Sequence, residues 1–116
     1  MAAPTLDSLE RRLRRLMLAP TTHIKHYRNL HNAGEVVWVE GDPNSYVSLD
    51  PSWRGEIPTL LHELIHVELS LHRTWGALDE AMVLGLEDAM VDRIKKSVPR
   101  CKWWRRHLDA KLKGAA

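Results

Sequence analysis

Two histidines and a glutamate stand together as His62-Glu63-Leu64-Ile65-His66. On a helix, positions i and i+4 share a face and lie about 6 Å apart along the axis. Both imidazoles can then reach one Zn²⁺ at ~2.0–2.1 Å. Glu63 is one step round the helix, where it can reach a metal-bound water without ligating the metal. This HExxH spacing supplies two ligands and a general base. Zinc brings the pKa of its water towards ~7, and Glu63 can take the proton and later pass it to a leaving amine. The plainer alternative is two surface histidines flanking an exposed glutamate. The context disfavours it, because the pattern falls on an amphipathic run in an acidic segment, just after a strand.

A catalytic zinc needs a third protein ligand and one open position. His72 completes the string HELIHVELSLH, but Leu69 stands where the chain would need a glycine to turn back. A continuing helix points His72 about 80° away from His62. Glu80 and Glu87 are the carboxylate candidates, seven residues apart on nearly the same helical face and about 10 Å apart along it. If the motif helix ends near Ser70, the returning chain favours Glu80. If it runs on to Arg73, the level of the metal falls at Glu87.

The elements that must hold these residues are legible from periodicity. Leu6, Leu9, Leu13, Leu16 and Leu18 mark a first amphipathic helix, closed by Pro20. A short strand is expected around Ile24, in a polar stretch with His23, His26 and His31. Glu35 to Glu40 and Tyr46 to Leu49 read as a hairpin, with Asn32 and Gly34 before it and Gly41-Asp42-Pro43-Asn44 as its turn. Thr59 is expected to cap the motif helix, with Pro58 beside it. Thr74 to Gly76 interrupt that helix, and Asp79 caps the next, with Met82, Val83, Leu86, Met90 and Ile94 on one stripe. Pro99 ends it, and a short basic helix spans Trp103 to Leu112.

At 116 residues with 44% apolar and 28% charged side chains, the chain reads as one soluble domain over 1–116 rather than a disordered one. No apolar run approaches the ~18 residues of a membrane span, and the N-terminus does not read as a secretory signal. One cysteine, Cys101, excludes an internal disulfide, so a reducing cytoplasm is the expected compartment. The net charge of +2 is uneven: residues 1–30 sum to +4, 31–94 to −9, and 95–116 to +7. The basic ends either meet an anionic partner or pair with the acidic centre, and the second is the simpler expectation. Trp103-Trp104 beside Lys102, Arg105 and Arg106 is the one aromatic-basic cluster that could stack on nucleobases. A helix docking its tryptophans on the core with its arginines outward is the favoured reading, and nucleic acid is not the expected partner. Trp38 and Trp75 are expected in the core or as a lid, and Trp53 as a wall of the cleft.

The segment Ser48 to Ile94 resembles the small HExxH metallopeptidases of phage and mobile-element type, and more distantly the ImmA/IrrE peptidases and the minigluzincins. The resemblance rests on Leu49-Asp50 closing a strand, on Thr59-Leu60-Leu61-His62-Glu63-Leu64-Ile65-His66, and on Asp79-Glu80-Ala81-Met82-Val83 with Leu86 and Met90. It implies an α+β, minimal zincin-like fold: a small sheet packed on the motif helix and a following glutamate helix, flanked by basic terminal helices. It also implies Zn²⁺ held by His62, His66 and Glu80, with Val83 and Leu86 behind the third ligand, Glu63 as base, and a peptide or protein substrate. Leu84 stands where thermolysin-like enzymes carry the carboxylate that orients a zinc histidine, so the group that orients His62 is open. Tyr46, His72 and His26 are candidate oxyanion donors. In zincins an exposed edge strand aligns the peptide, and Tyr46 to Leu49 is the expected strand here. The competing reading is a catalytically silent zinc-binding domain with a regulatory or nucleic-acid-associated role. The intact Glu63 argues against it, because a closed structural site has no use for a base.

Overall fold

The computed structural model describes residues 5–28, 33–39, 41–52, 55–72 and 80–114, without the side chains of 70–72. The expectations for His31, Asn32, Trp53, the Thr74–Gly76 break and the Asp79 cap lie outside the described residues, as does the side chain of His72. In order, the elements are α1 (Leu6–Leu18), β1 (Thr22–His26), β2 (Gly34–Trp38), β3 (Ser45–Leu49), α2 (Glu56–His72), α3 (Glu80–Lys95) and α4 (Val98–Gly114). The class is α+β.

Thr5 caps α1, its hydroxyl accepting from the Ser8 amide at 3.1 Å, and Leu9, Leu13 and Met17 form the buried stripe. The sheet order is β1-β3-β2. β3 pairs antiparallel with β2, as the hairpin turn dictates, and parallel with β1. The turn between β2 and β3 has Gly41 at φ 89°, a conformation that side chains resist, and Asp42 accepts from the Asn44 amide at 2.9 Å. Parallel neighbours need a crossover, and here that crossover carries β2 to the far edge. β3 is therefore the central strand. The expectation that Tyr46 to Leu49 would receive a peptide is corrected: both its edges are taken, and the edges without a strand partner among the described residues belong to β1 and β2, of which β2 is the one nearer the motif helix face.

Alternation sends Ile24, Val47 and Leu49 into the core with Leu60, Leu64 and Ile65 of α2 and Leu9 and Leu13 of α1. Gly34 is the point of closest approach between the edge strand and α2. A Cβ there would lie 2.6 Å from Thr59 Cγ2 and 3.0 Å from the Ser48 carbonyl oxygen. α2 begins a turn earlier than expected. Thr59 is not its cap but an early helical residue, with its amide and its hydroxyl both reaching the Gly55 carbonyl (3.5 and 3.3 Å). α4 is likewise longer than Trp103–Leu112. Pro99 lies in its first turn, where its missing N–H costs nothing, and Ser97 Oγ accepts from the Arg100 amide at 3.4 Å.

The terminal helices are fixed by polar contacts as well as by burial. Glu10 is buried and accepts from Arg14 Nη2, Arg93 Nε and Arg100 Nε, each at 2.9 Å, and from Trp104 Nε1 at 3.4 Å, so one carboxylate joins α1, α3 and α4. Burial alone would raise its pKa, but the three guanidiniums outweigh it and hold the group at about 2. Lys111 donates to the Ala19 and Thr22 carbonyls at 2.7 Å each, clamping α4 to the start of β1. The basic ends meet the acidic centre at Arg12–Glu68 (3.8 Å) and Arg105–Glu56 (3.2 Å). Trp104 is wholly buried, and Trp103 is covered by the Arg14 guanidinium 4.3 Å above its ring. Among the described residues no helix is long and apolar enough to cross a membrane.

Candidate metal centre

α2 and α3 pack side by side, and their facing stripes carry the titratable groups. His62 and His66, one turn apart, place their Nε2 atoms 3.2 Å from each other. Glu80, in the first turn of α3, brings Oε1 to 2.8 Å from His62 Nε2 and Oε2 to 3.1 Å from His66 Nε2. One ligand atom from each of the three lies within 4.8 Å of the others. The other ring nitrogen of His62 has its own partner: Nδ1 is 2.9 Å from Glu87 Oε1.

This second contact decides what the first can be. Glu87 is an acceptor, so His62 donates to it from Nδ1, which leaves Nε2 as the ring nitrogen facing Glu80 and His66. Two imidazole nitrogens and a carboxylate converge there, a donor set that suits a shared cation. A tetrahedral ion with ligands at ~2.0–2.1 Å needs them about 3.3 Å apart. The Nε2–Nε2 separation of 3.2 Å falls close to that spacing, and the two Glu80 oxygens reach one histidine each, at 2.8 and 3.1 Å. Burial holds His66 below the ordinary imidazole range, Glu80 opposes this, and His62 adds to it; the net direction favours the unprotonated ring that a ligand requires.

Glu63 is 7% exposed and lies between the two histidines in sequence. Burial, reinforced by the carboxylates of Glu80, Glu35 and Glu87 and opposed by His62, raises its pKa to about 7. That places it in the range where a carboxyl exchanges a proton near neutrality. Beside these groups opens a cleft of ≈ 470 Å³. Gly34, Glu35, Val36 and Trp38 of β2 form one wall, and Thr59, His62, Glu63 and His66 of α2 form the other.

The structure brings His62, Glu63, His66 and Glu80 together. The motif helix runs to His72, the case in which chain geometry had favoured Glu87, yet Glu80 meets both histidines. The two glutamates reach His62 from opposite ends of its ring, and helix length alone could not anticipate that. Of the proposed oxyanion donors, Tyr46 projects from the opposite face of the sheet, stacked on His23 with ring centroids 5.1 Å apart. His26 is paired with Glu56 at the start of α2. Neither lines the cleft. Trp38, expected in the core or as a lid, is 41% exposed on the cleft wall. The positioning role of Glu87 was not foreseen, although a signal existed: it is the one charge in the buried stripe Val83, Glu87, Met90, Ile94. Comparison with protein-family models, with curated proteins and with solved structures finds no match to this chain.

Proposed function

We propose that this chain is a zinc-dependent metallopeptidase of minimal zincin-like architecture, with His62, His66 and Glu80 as ligands and Glu63 as the general base. The observation that carries the reading is the convergence of His62, His66 and Glu80, with one ligand atom of each within 4.8 Å of the others, beside a buried carboxyl whose pKa is raised to about 7. A zinc ion held there would supply Lewis acidity for the scissile carbonyl and acidify water in its remaining position. Glu63 takes the proton of the attacking water and returns it to the leaving nitrogen. Glu87 holds the His62 ring in the tautomer that presents Nε2. The open edge of β2 offers backbone N–H and C=O groups to an extended peptide, which would lie in the cleft against Trp38.

The test is mass-spectrometric detection of cleavage in a broad peptide library. Cleavage should appear with zinc, vanish with a chelator and return on adding zinc back. A zinc-loaded protein that cuts no member of the library would favour the catalytically silent reading.

A further inference from the structure

A second concavity lies away from the metal centre, about 20 Å along α3 from Glu80. It is a groove of ≈ 1220 Å³ between the start of α2, the end of α3 and α4. Its floor is apolar, formed by Ile57, Val91, Ile94, Pro99 and Trp104. Its rim is basic: Lys95, Lys102, Arg105 and Arg106, with Asp109 as the single acid. Arg105 is engaged by Asp109 at 2.8 Å and by Glu56 at 3.2 Å. Among the described residues Lys95, Lys102 and Arg106 have no ion-pair partner, so three cations border the apolar trough.

We infer that this groove is a docking site for an acidic amphipathic helix of another protein. Size argues for a helix over a small ligand, since the volume exceeds the ~300–1,000 Å³ of ordinary ligand pockets. Length argues the same way: from Pro99 to Asp109 the groove follows α4 for about 15 Å, nearly three helical turns. That accommodates anchors at i, i+4 and i+7 on an apolar face. Charge selects the other face. A helix with leucines down and glutamates up would bury its apolar stripe against Ile57, Val91 and Ile94 while meeting Lys95, Lys102 and Arg106 at the margin. Nucleic acid is the weaker fit, because Trp104 is wholly buried and Trp103 is covered by Arg14, so neither ring is open to stack on a base. The site does not depend on the metal centre.

The test is fluorescence anisotropy with a labelled 15-residue amphipathic peptide, leucine on one face and glutamate on the other. Controls are its lysine counterpart and a scrambled peptide. The acidic helix should bind with micromolar Kd, and the lysine helix should not. Lys102→Glu with Arg106→Glu should weaken it by roughly tenfold or more. Binding should persist in His62→Ala/His66→Ala, and a bulky maleimide on the exposed Cys101, which lines the groove, should block it. Equal binding of the scrambled or lysine peptide, indifference to the charge reversals, or no binding at millimolar peptide would overturn the inference. So would displacement by oligo-dT in a salt-steep complex, which would make nucleic acid the occupant.

Discussion

The Nδ1–H of His62 donates to Glu87 Oε1 at 2.9 Å, across the seam between the motif helix and the next. Glu87 is 2% exposed, so this is a buried charged contact. Seven residues earlier on the same helix, Glu80 meets the other nitrogen of the same ring. One imidazole is thus held between two carboxylates, one at each ring nitrogen.

The two glutamates should separate cleanly in metal affinity. Glu80→Ala removes a donor atom and should weaken zinc binding on the order of 10³-fold. Glu87→Gln leaves the donor set intact and loosens only the ring, which should cost about 10–100-fold. Competition with a chromophoric chelator reads both. If Glu87→Gln were the more damaging change, Glu87 would be the ligand and Glu80 the accessory.

Gly34 keeps the edge strand against the motif helix. Gly34→Ala forces a methyl against Thr59 Cγ2 and the Ser48 carbonyl, and should lower stability by about 1–3 kcal/mol. Thr59→Ser removes the nearer obstruction, so the double variant should recover part of the loss. Denaturant unfolding of the four proteins gives the coupling. Strict additivity would show that the strand does not rest on Thr59.

Acid should loosen the terminal helices through Glu10. Its folded pKa of about 2 lies below the ordinary 4.5. The stabilisation is therefore present above pH ~4.5 and is lost as pH falls towards 2, with a magnitude of roughly 3 kcal/mol. Wild type should lose stability over that window more steeply than Glu10→Gln. Parallel pH profiles would mean that the three arginines do not hold the carboxylate charged.

The helices were legible because their apolar stripes repeat at 3.6 residues, and the hairpin because β-branched runs flank Gly41-Asp42-Pro43-Asn44. Strand order was not. Nothing local in Thr22–His26 says that it pairs parallel with β3, and that pairing moves the open edge from Tyr46–Leu49 to Gly34–Trp38. The start of α4 was missed because Pro99 closes one helix and opens the next with equal ease. At the site, the His62–His66 spacing was plain, since i and i+4 always share a face. The division of labour between Glu80 and Glu87 was not, because it depends on which end of the His62 ring each helix turn meets.

The central claim, that Glu63 is the base of a metal-dependent peptidase, is tested most directly by Glu63→Gln at matched zinc occupancy. The measurement is kcat/KM on a peptide that the wild-type protein cleaves. Zinc content should match wild type, because Glu63 is not among the ligands. The rate constant should fall by roughly 10²–10⁴-fold. A zinc-loaded Glu63→Gln protein that cleaves as fast as wild type would contradict the account.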